Sequence, residues 1–241
     1  MASIIKYILF DCMETLIDLT ELPTMRDYAF WAYNGSGAES LWGSFEDFYS
    51  DYIRARKSME EKLPKYREYE ILERFKLAAA FNAGSDAFLT PDETAKMLYD
   101  NYWRNYVSKC YVKSDVMEVL PELSKKYHLG VVSNFMVENG IEELLLRNNI
   151  KYYFKFVVTS VKEGWRKPYN GIYNIAIEKT GVNKDYIMFI GDDYINDYKG
   201  PGSIGIKAVL LDRNNKYPQV DKRIRDFYQL ENYISGEPKT V

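Results

Sequence analysis

Three places in the 241-residue sequence set an acidic or hydroxyl side chain directly after a short apolar run. Asp11 follows Ile4 to Phe10, Ser133 follows Leu129 to Val132, and Gly191-Asp192-Asp193 follows Tyr186 to Ile190. A fourth place supplies a cation, Lys167, just before Pro168. Carboxylates brought together suit a hard cation such as magnesium, which takes oxygen ligands and keeps some water. A hydroxyl and an ammonium beside them add a hydrogen-bond donor and a fixed positive charge, a combination that suits a phosphoryl group. Taken one at a time, the same residues have simpler readings. Asp11 is then a turn residue, Ser133-Asn134 a strand-to-loop turn, Lys167 a solvated lysine at a helix start, and Asp192-Asp193 a turn and helix N-cap.

The elements must therefore bring these residues to one point. The apolar runs that precede them are rich in β-formers and nearly continuous, the pattern of strands buried on both faces of a parallel sheet. Phe156 to Thr159 and Ile206 to Leu211 read as further strands, and Val116 to Tyr127, Glu138 to Arg147 and Gly171 to Thr180 as helices, the last stopped by Gly181 as a C-cap. Strands alternating with helices imply an α/β fold, a doubly wound, Rossmann-like parallel sheet, in which ligands bind at the carboxyl ends of the strands. Asp11, Ser133 and Asp192 end three such strands.

From 18 to 108 no buried strand pattern occurs. Arg26 to Tyr33, Phe45 to Leu63, Tyr66 to Phe81 and Pro91 to Lys109 read as amphipathic helices, broken at Gly35-Ser36-Gly37, Pro64 and Gly84-Ser85. Thr90-Pro91-Asp92-Glu93 is a helix start, with Thr as N-cap and acids in the first turn. The expected division is an α/β core over 1–17 and 109–241 with an inserted α-helical domain over 18–108. The tail from Ser235 to Val241 is predicted to fray.

Composition narrows the partners. With 32 basic against 35 acidic residues and a net charge of −3, no broad attraction for nucleic acid or for an anionic membrane is expected. A small molecule is the expected partner, and the oligomeric state is left open. No run approaches the roughly 18 apolar residues of a membrane-spanning helix, and the N-terminus carries no signal-peptide pattern, so the expected location is cytoplasmic. Two cysteines, Cys12 and Cys110, make no disulfide framework or zinc site. Cys12 reads as packing behind the strand end, and His128, at a strand start, as remote from the site. Of the 22 tyrosines, many lie between 28 and 111. There Tyr28, Trp31 and Tyr33 form a stripe that reads first as core, with the lining of a substrate cavity as the alternative.

In order along the chain stand Phe10-Asp11-Cys12-Met13-Glu14-Thr15-Leu16, Val131-Val132-Ser133-Asn134, Arg166-Lys167-Pro168, and Ile190-Gly191-Asp192-Asp193 with Asn196-Asp197. This series resembles the four signatures of the haloacid dehalogenase superfamily, mostly phosphohydrolases. The helical insert falls where one subclass of that family carries an α-helical cap that closes over a small substrate and excludes water. The resemblance implies nucleophilic catalysis: Asp11 attacks the substrate and forms an aspartyl intermediate that water then hydrolyses. It makes Asp11, Ser133 and Lys167 catalytic, with Ser133 bonding the transferring group and Lys167 offsetting charge. It gives substrate binding to Ser133, Asn134 and Thr15, although Thr15 reads more as a stabiliser of the loop after Asp11. It implies Mg2+ held by Asp11, Asp192 and the backbone carbonyl of Met13, helped by Asp193 or Asp197 through water or by orienting Lys167.

One position departs from the family. Its phosphatases carry a second Asp two residues after the nucleophile, which protonates the leaving oxygen and later activates water; here Met13 stands there. General acid–base catalysis is worth about a hundred- to ten-thousand-fold. Three readings follow. The first is a Mg2+-dependent phosphatase-type hydrolase whose leaving group needs little protonation, or whose acid is another group, with Glu14 nearest in sequence. The second is a haloacid dehalogenase, against which Gly191-Asp192-Asp193 argues. The third is a weakened fold serving as a binding or regulatory module. The sequence favours the first.

Overall fold

The apolar runs become strands of one parallel sheet. The computed structural model describes residues 5–82 and 89–235. The chain order is β1 (Tyr7–Phe10), β2 (Asp18–Leu19), α1 (Met25–Tyr33), α2 (Phe45–Lys62), α3 (Ile71–Asn82), α4 (Pro91–Val107), β3 (Cys110–Tyr111), α5 (Ser114–Lys126) and β4 (His128–Ser133). It continues through α6 (Gly140–Arg147), β5 (Phe154–Thr159), α7 (Ser160–Glu163), α8 (Asn170–Thr180), β6 (Ile187–Gly191), α9 (Gly200–Ser203), β7 (Lys207–Leu211), β8 (Arg223–Ile224) and α10 (Tyr228–Ser235). The main sheet has the order β5-β4-β1-β6-β7-β8 with every neighbouring pair parallel, and β2 and β3 pair in a two-stranded ribbon.

The chain builds outward from β1 through β4 and β5, then returns to the other side of β1 for β6, β7 and β8. This reversal leaves a crevice at the carboxyl end of β1. Phe10 lies level with Val131 of β4 and Ile190 of β6, so the residues that follow all three strands emerge at one edge. Both faces are covered, as an all-parallel sheet requires. Leu9, Val132, Val158 and Phe189 pack with Ile172, Tyr173 and Ala176 of α8, while Phe10 stacks on Phe227 at 5.7 Å.

The chain forms two compact units, Met1–Asp18 with Tyr111–Val241, and Leu19–Cys110, against divisions at 17/18 and 108/109 expected from the sequence. In the second unit the helix starts and stops follow local chemistry. The expected Thr90–Glu93 start is a capping box, and Gly35 and Gly37 at the expected break both have φ +82°. The helix expected from Tyr66 begins only at Ile71, because Tyr66 is left-handed (φ 67°), a conformation that interrupts a right-handed helix. The expected break at Gly84-Ser85 lies outside the described residues, as does the expected tail beyond Ser235. The tyrosine-rich stripe is internal packing of this unit: Tyr28 meets Trp31, Tyr102 and Tyr106, and Tyr33 stacks on Phe48 at 5.2 Å. The buried Arg74 of α3 donates to the Tyr52 hydroxyl of α2 at 2.8 Å and to that of Tyr69 at 3.1 Å.

Candidate active site

Immediately after β1 the chain turns back on itself. The Cys12 carbonyl accepts the N–H groups of Leu16 and Ile17 at 2.8 and 2.9 Å, and Glu14, left-handed at φ 58°, donates its N–H to the Ile17 carbonyl at 2.7 Å. Cys12 is fully buried beneath this loop, as a packing residue should be. The loop leaves Asp11 at the strand end, its N–H bonded to the Ile190 carbonyl of β6 at 2.9 Å. It also fixes Thr15, whose hydroxyl donates to Asp192 Oδ1 at 3.2 Å. Thr15 is wholly buried, with its hydroxyl directed to Asp192.

Lys167 comes from the loop between α7 and α8, and its Nζ sits between two carboxylates, 2.6 Å from Asp11 Oδ1 and 2.7 Å from Asp197 Oδ1. Its backbone is clamped by Asn134, whose side-chain oxygen accepts the Lys167 N–H at 2.7 Å while its amide donates to the Lys167 carbonyl at 3.0 Å. The Asn134 side chain thus holds the loop that carries the lysine. The sequence left open whether Asp193 or Asp197 orients Lys167. Asp197 does so, whereas Asp193 caps the π-helical turn Tyr194–Lys199 by accepting the N–H groups of Ile195 and Asn196. Asp197 fits against the end of β6 because residue 191 is glycine: a Cβ there would lie 2.5 Å from the Asp197 carboxyl group. Ser133, the buried last residue of β4, ends its strand on the same sheet edge. His128 opens β4 at the opposite end, level with Tyr7.

Asp11, Asp192 and Asp197 each place a carboxylate oxygen within 4.8 Å of the others; Glu14 is not among them. Burial and the neighbouring Asp11 push the Asp192 carboxyl up to about 7. Burial works against the Lys167 ammonium, yet Asp11 and Asp197 outweigh it and hold the group charged, above its ordinary value. Three carboxylates thus face one ammonium. An all-oxygen, anionic donor set with charge to spare fits a hard divalent cation such as Mg2+.

A family model described as haloacid dehalogenase-like hydrolase matches residues 47–211, a span that includes Ser133, Lys167, Asp192 and Asp197. The chain belongs to this family. It is similar to haloacid dehalogenase-like hydrolase domain-containing protein 3 of Xenopus laevis, 36% identical over 83 residues, 34% of this chain and 33% of that protein. The chain thus matches about a third of that relative's length. Similarity to the 5-amino-6-(5-phospho-D-ribitylamino)uracil phosphatase YigB of Escherichia coli is longer, 28% identity over 88% of this chain and 85% of the relative. Among solved structures, a 2-haloacid dehalogenase from Pseudomonas syringae shares the fold with a TM-score of 0.75 at 19% identity, over 97% of this chain and 99% of that one. Among the described residues no helix is long and apolar enough to cross a membrane.

Proposed function

We propose that this protein is a Mg2+-dependent phosphatase acting on a small phosphorylated metabolite, with Asp11 as nucleophile. The observation that carries the reading is the Lys167 ammonium held between Asp11 and Asp197 beside the third carboxylate of Asp192. In this reading an Asp11 oxygen attacks phosphorus, the bond to the leaving oxygen breaks, and an aspartyl phosphate forms. Water then attacks that phosphorus, phosphate departs and the Asp11 carboxylate is restored. Lys167 keeps the nucleophile oriented and offsets charge on the phosphoryl oxygens, and Ser133 donates a hydrogen bond to them. Asp11, Asp192 and the Met13 carbonyl hold Mg2+, which when bound supplies charge neutralisation at the phosphoryl group. Thr15 orients Asp192, and Asn134 and Asp197 position Lys167.

Met13 has no proton to give, so the leaving group departs without an acid from the second position after the nucleophile. Leaving groups of low basicity, acyl phosphates above all, are therefore the preferred class. A halide also leaves without a proton, which is what a dehalogenase reading has in its favour. The Asp11, Asp192 and Asp197 carboxylate cluster, which suits a divalent cation and which halide departure does not need, weighs against it.

The test is Mg2+-dependent phosphate release from aryl, acyl, sugar and nucleotide phosphates, and from the phosphate named for the E. coli relative, by wild type and Asp11→Asn. We expect release that falls about a million-fold in the mutant, as deletion of a covalent nucleophile does, and that stops with chelator. Absence of release from every compound, with halide released from a 2-haloacid, would replace this reading with dehalogenation.

A further inference from the structure

Tyr173 of α8 is fully buried, and its hydroxyl donates to the Asn196 carbonyl at 2.5 Å. Asn196 precedes Asp197 within the π-helical turn Tyr194–Lys199. In such a turn a carbonyl takes its hydrogen bond from the N–H five residues on, as Ile195 does from Gly200. For Asn196 that residue is Pro201, which has no N–H. A part-buried carbonyl left without a donor carries some of the desolvation cost of a lost hydrogen bond, and the Tyr173 hydroxyl fills the gap. The fit is close: a Cβ on residue 200 would collide with the Tyr173 hydroxyl, so only glycine allows the approach. From the other side Asp197 is held by the Asp193 N–H, which donates to its Oδ2 at 3.0 Å.

We propose that Tyr173 is a positioning residue for the reaction, substituting for the backbone donor that Pro201 lacks and so holding the π-helical turn where Asp197 can keep Lys167 on Asp11. The consequence for turnover rests on the phosphatase reading; the hold on Lys167 does not. A phenylalanine at 173 keeps the ring packed among Ile172, Ala176 and Phe189 while removing the single donor. Asp197 and Lys167 then lose fixed geometry without losing charge.

The test compares full-length wild type with Tyr173→Phe in two measurements. Lysines are acylated with limiting reagent and quantified by peptide mass spectrometry, with the exposed Lys155 as internal reference. The expected rise at Lys167 is about threefold to tenfold, the size of one hydrogen bond, with the melting temperature little changed. Adding Pro201→Ala restores an N–H at that position and returns the Lys167 rate toward wild type. In steady-state assays kcat falls by the same factor while KM changes less than about twofold, the pattern of a group that acts on the reacting step. An unchanged Lys167 rate, an equal rise at the half-buried Lys113 and Lys207, or no response to Pro201→Ala overturns the proposal. If wild type releases no phosphate, the phosphatase reading fails while the acylation result still decides the role of Tyr173.

Discussion

The two units each bury a cation, and they do so in opposite ways. In the α/β unit Lys167 lies between the Asp11 and Asp197 carboxylates, with a third, Asp192, within 4.8 Å of both. In the helical unit Arg74 is bonded by the Tyr52 and Tyr69 hydroxyls, which tie α3 to α2 and to the segment before α3. The Tyr52 and Tyr69 hydroxyls accept hydrogen bonds without adding negative charge, so they offer nothing to a second cation. The Lys167 cluster carries more carboxylates than its one ammonium can balance. The Arg74 arrangement ties helices together, and the Lys167 cluster offers oxygen donors to a cation.

Replacing each cation by methionine separates the two. Removing one partner of a buried charged set leaves uncompensated charge and costs about 3–5 kcal/mol. Lys167→Met should lose stability on that scale and, in the phosphatase reading, its turnover. Arg74→Met leaves neutral hydroxyls short of a donor, which costs about 1–3 kcal/mol. The sharper distinction is rescue: millimolar Mg2+ should recover part of the melting temperature of Lys167→Met and none of that of Arg74→Met. Equal recovery of both, or of neither, in thermal melts with and without chelator would erase the contrast.

A smaller effect tests Met13. If Met13 is why leaving groups go unprotonated, Met13→Asp should raise turnover of alkyl phosphate esters by about a hundredfold, the low end of what a general acid supplies. Acyl phosphates, which need no acid, should gain little. A gain on both classes alike would mean that the new carboxylate acts through the metal site instead.

The strands that carry the site were legible because buried parallel strands are written as unbroken apolar runs, and Asp11, Ser133 and Asp192 sit where those runs stop. Caps were equally plain at Thr90 and Gly181, where a local rule decides the conformation. What the sequence did not reveal depends on partners far along the chain. Asn134 faces Lys167 across 33 residues, Thr15 faces Asp192 across 177, and no local spacing announces either. Choosing between Asp193 and Asp197 required the π-helical turn, whose distinguishing mark in sequence is Pro201. The late start of α3 turns on a left-handed Tyr66, which propensity does not foresee, and β8 and α10 left no apolar run long enough to read.

The finest test of the contrast between the units is how a single carboxyl titrates. Asp192 is pushed from its ordinary 3.8 up to about 7 by burial and by Asp11. Between those pH values the folded protein keeps a proton that the unfolded chain has released, so this group withdraws stability as pH rises from about 4 to about 7 and withdraws no more above that. Asparagine at 192 does not ionise. Without metal, Asp192→Asn should therefore match wild type near pH 4 and melt progressively higher than wild type as pH rises to 7.5, a difference that also includes the relief of Asp197, whose carboxyl burial, Asp11 and Asp192 likewise push up. Magnesium competes with that one proton, so its affinity for wild type should weaken by up to about tenfold per pH unit below 7. In Arg74→Met the affinity should follow the same curve, because the tyrosine-bound cation belongs to the other unit. A magnesium affinity flat between pH 5.5 and 7.5 would mean that Asp192 is not the group the metal displaces a proton from, and the excess charge of the Lys167 cluster would need another owner.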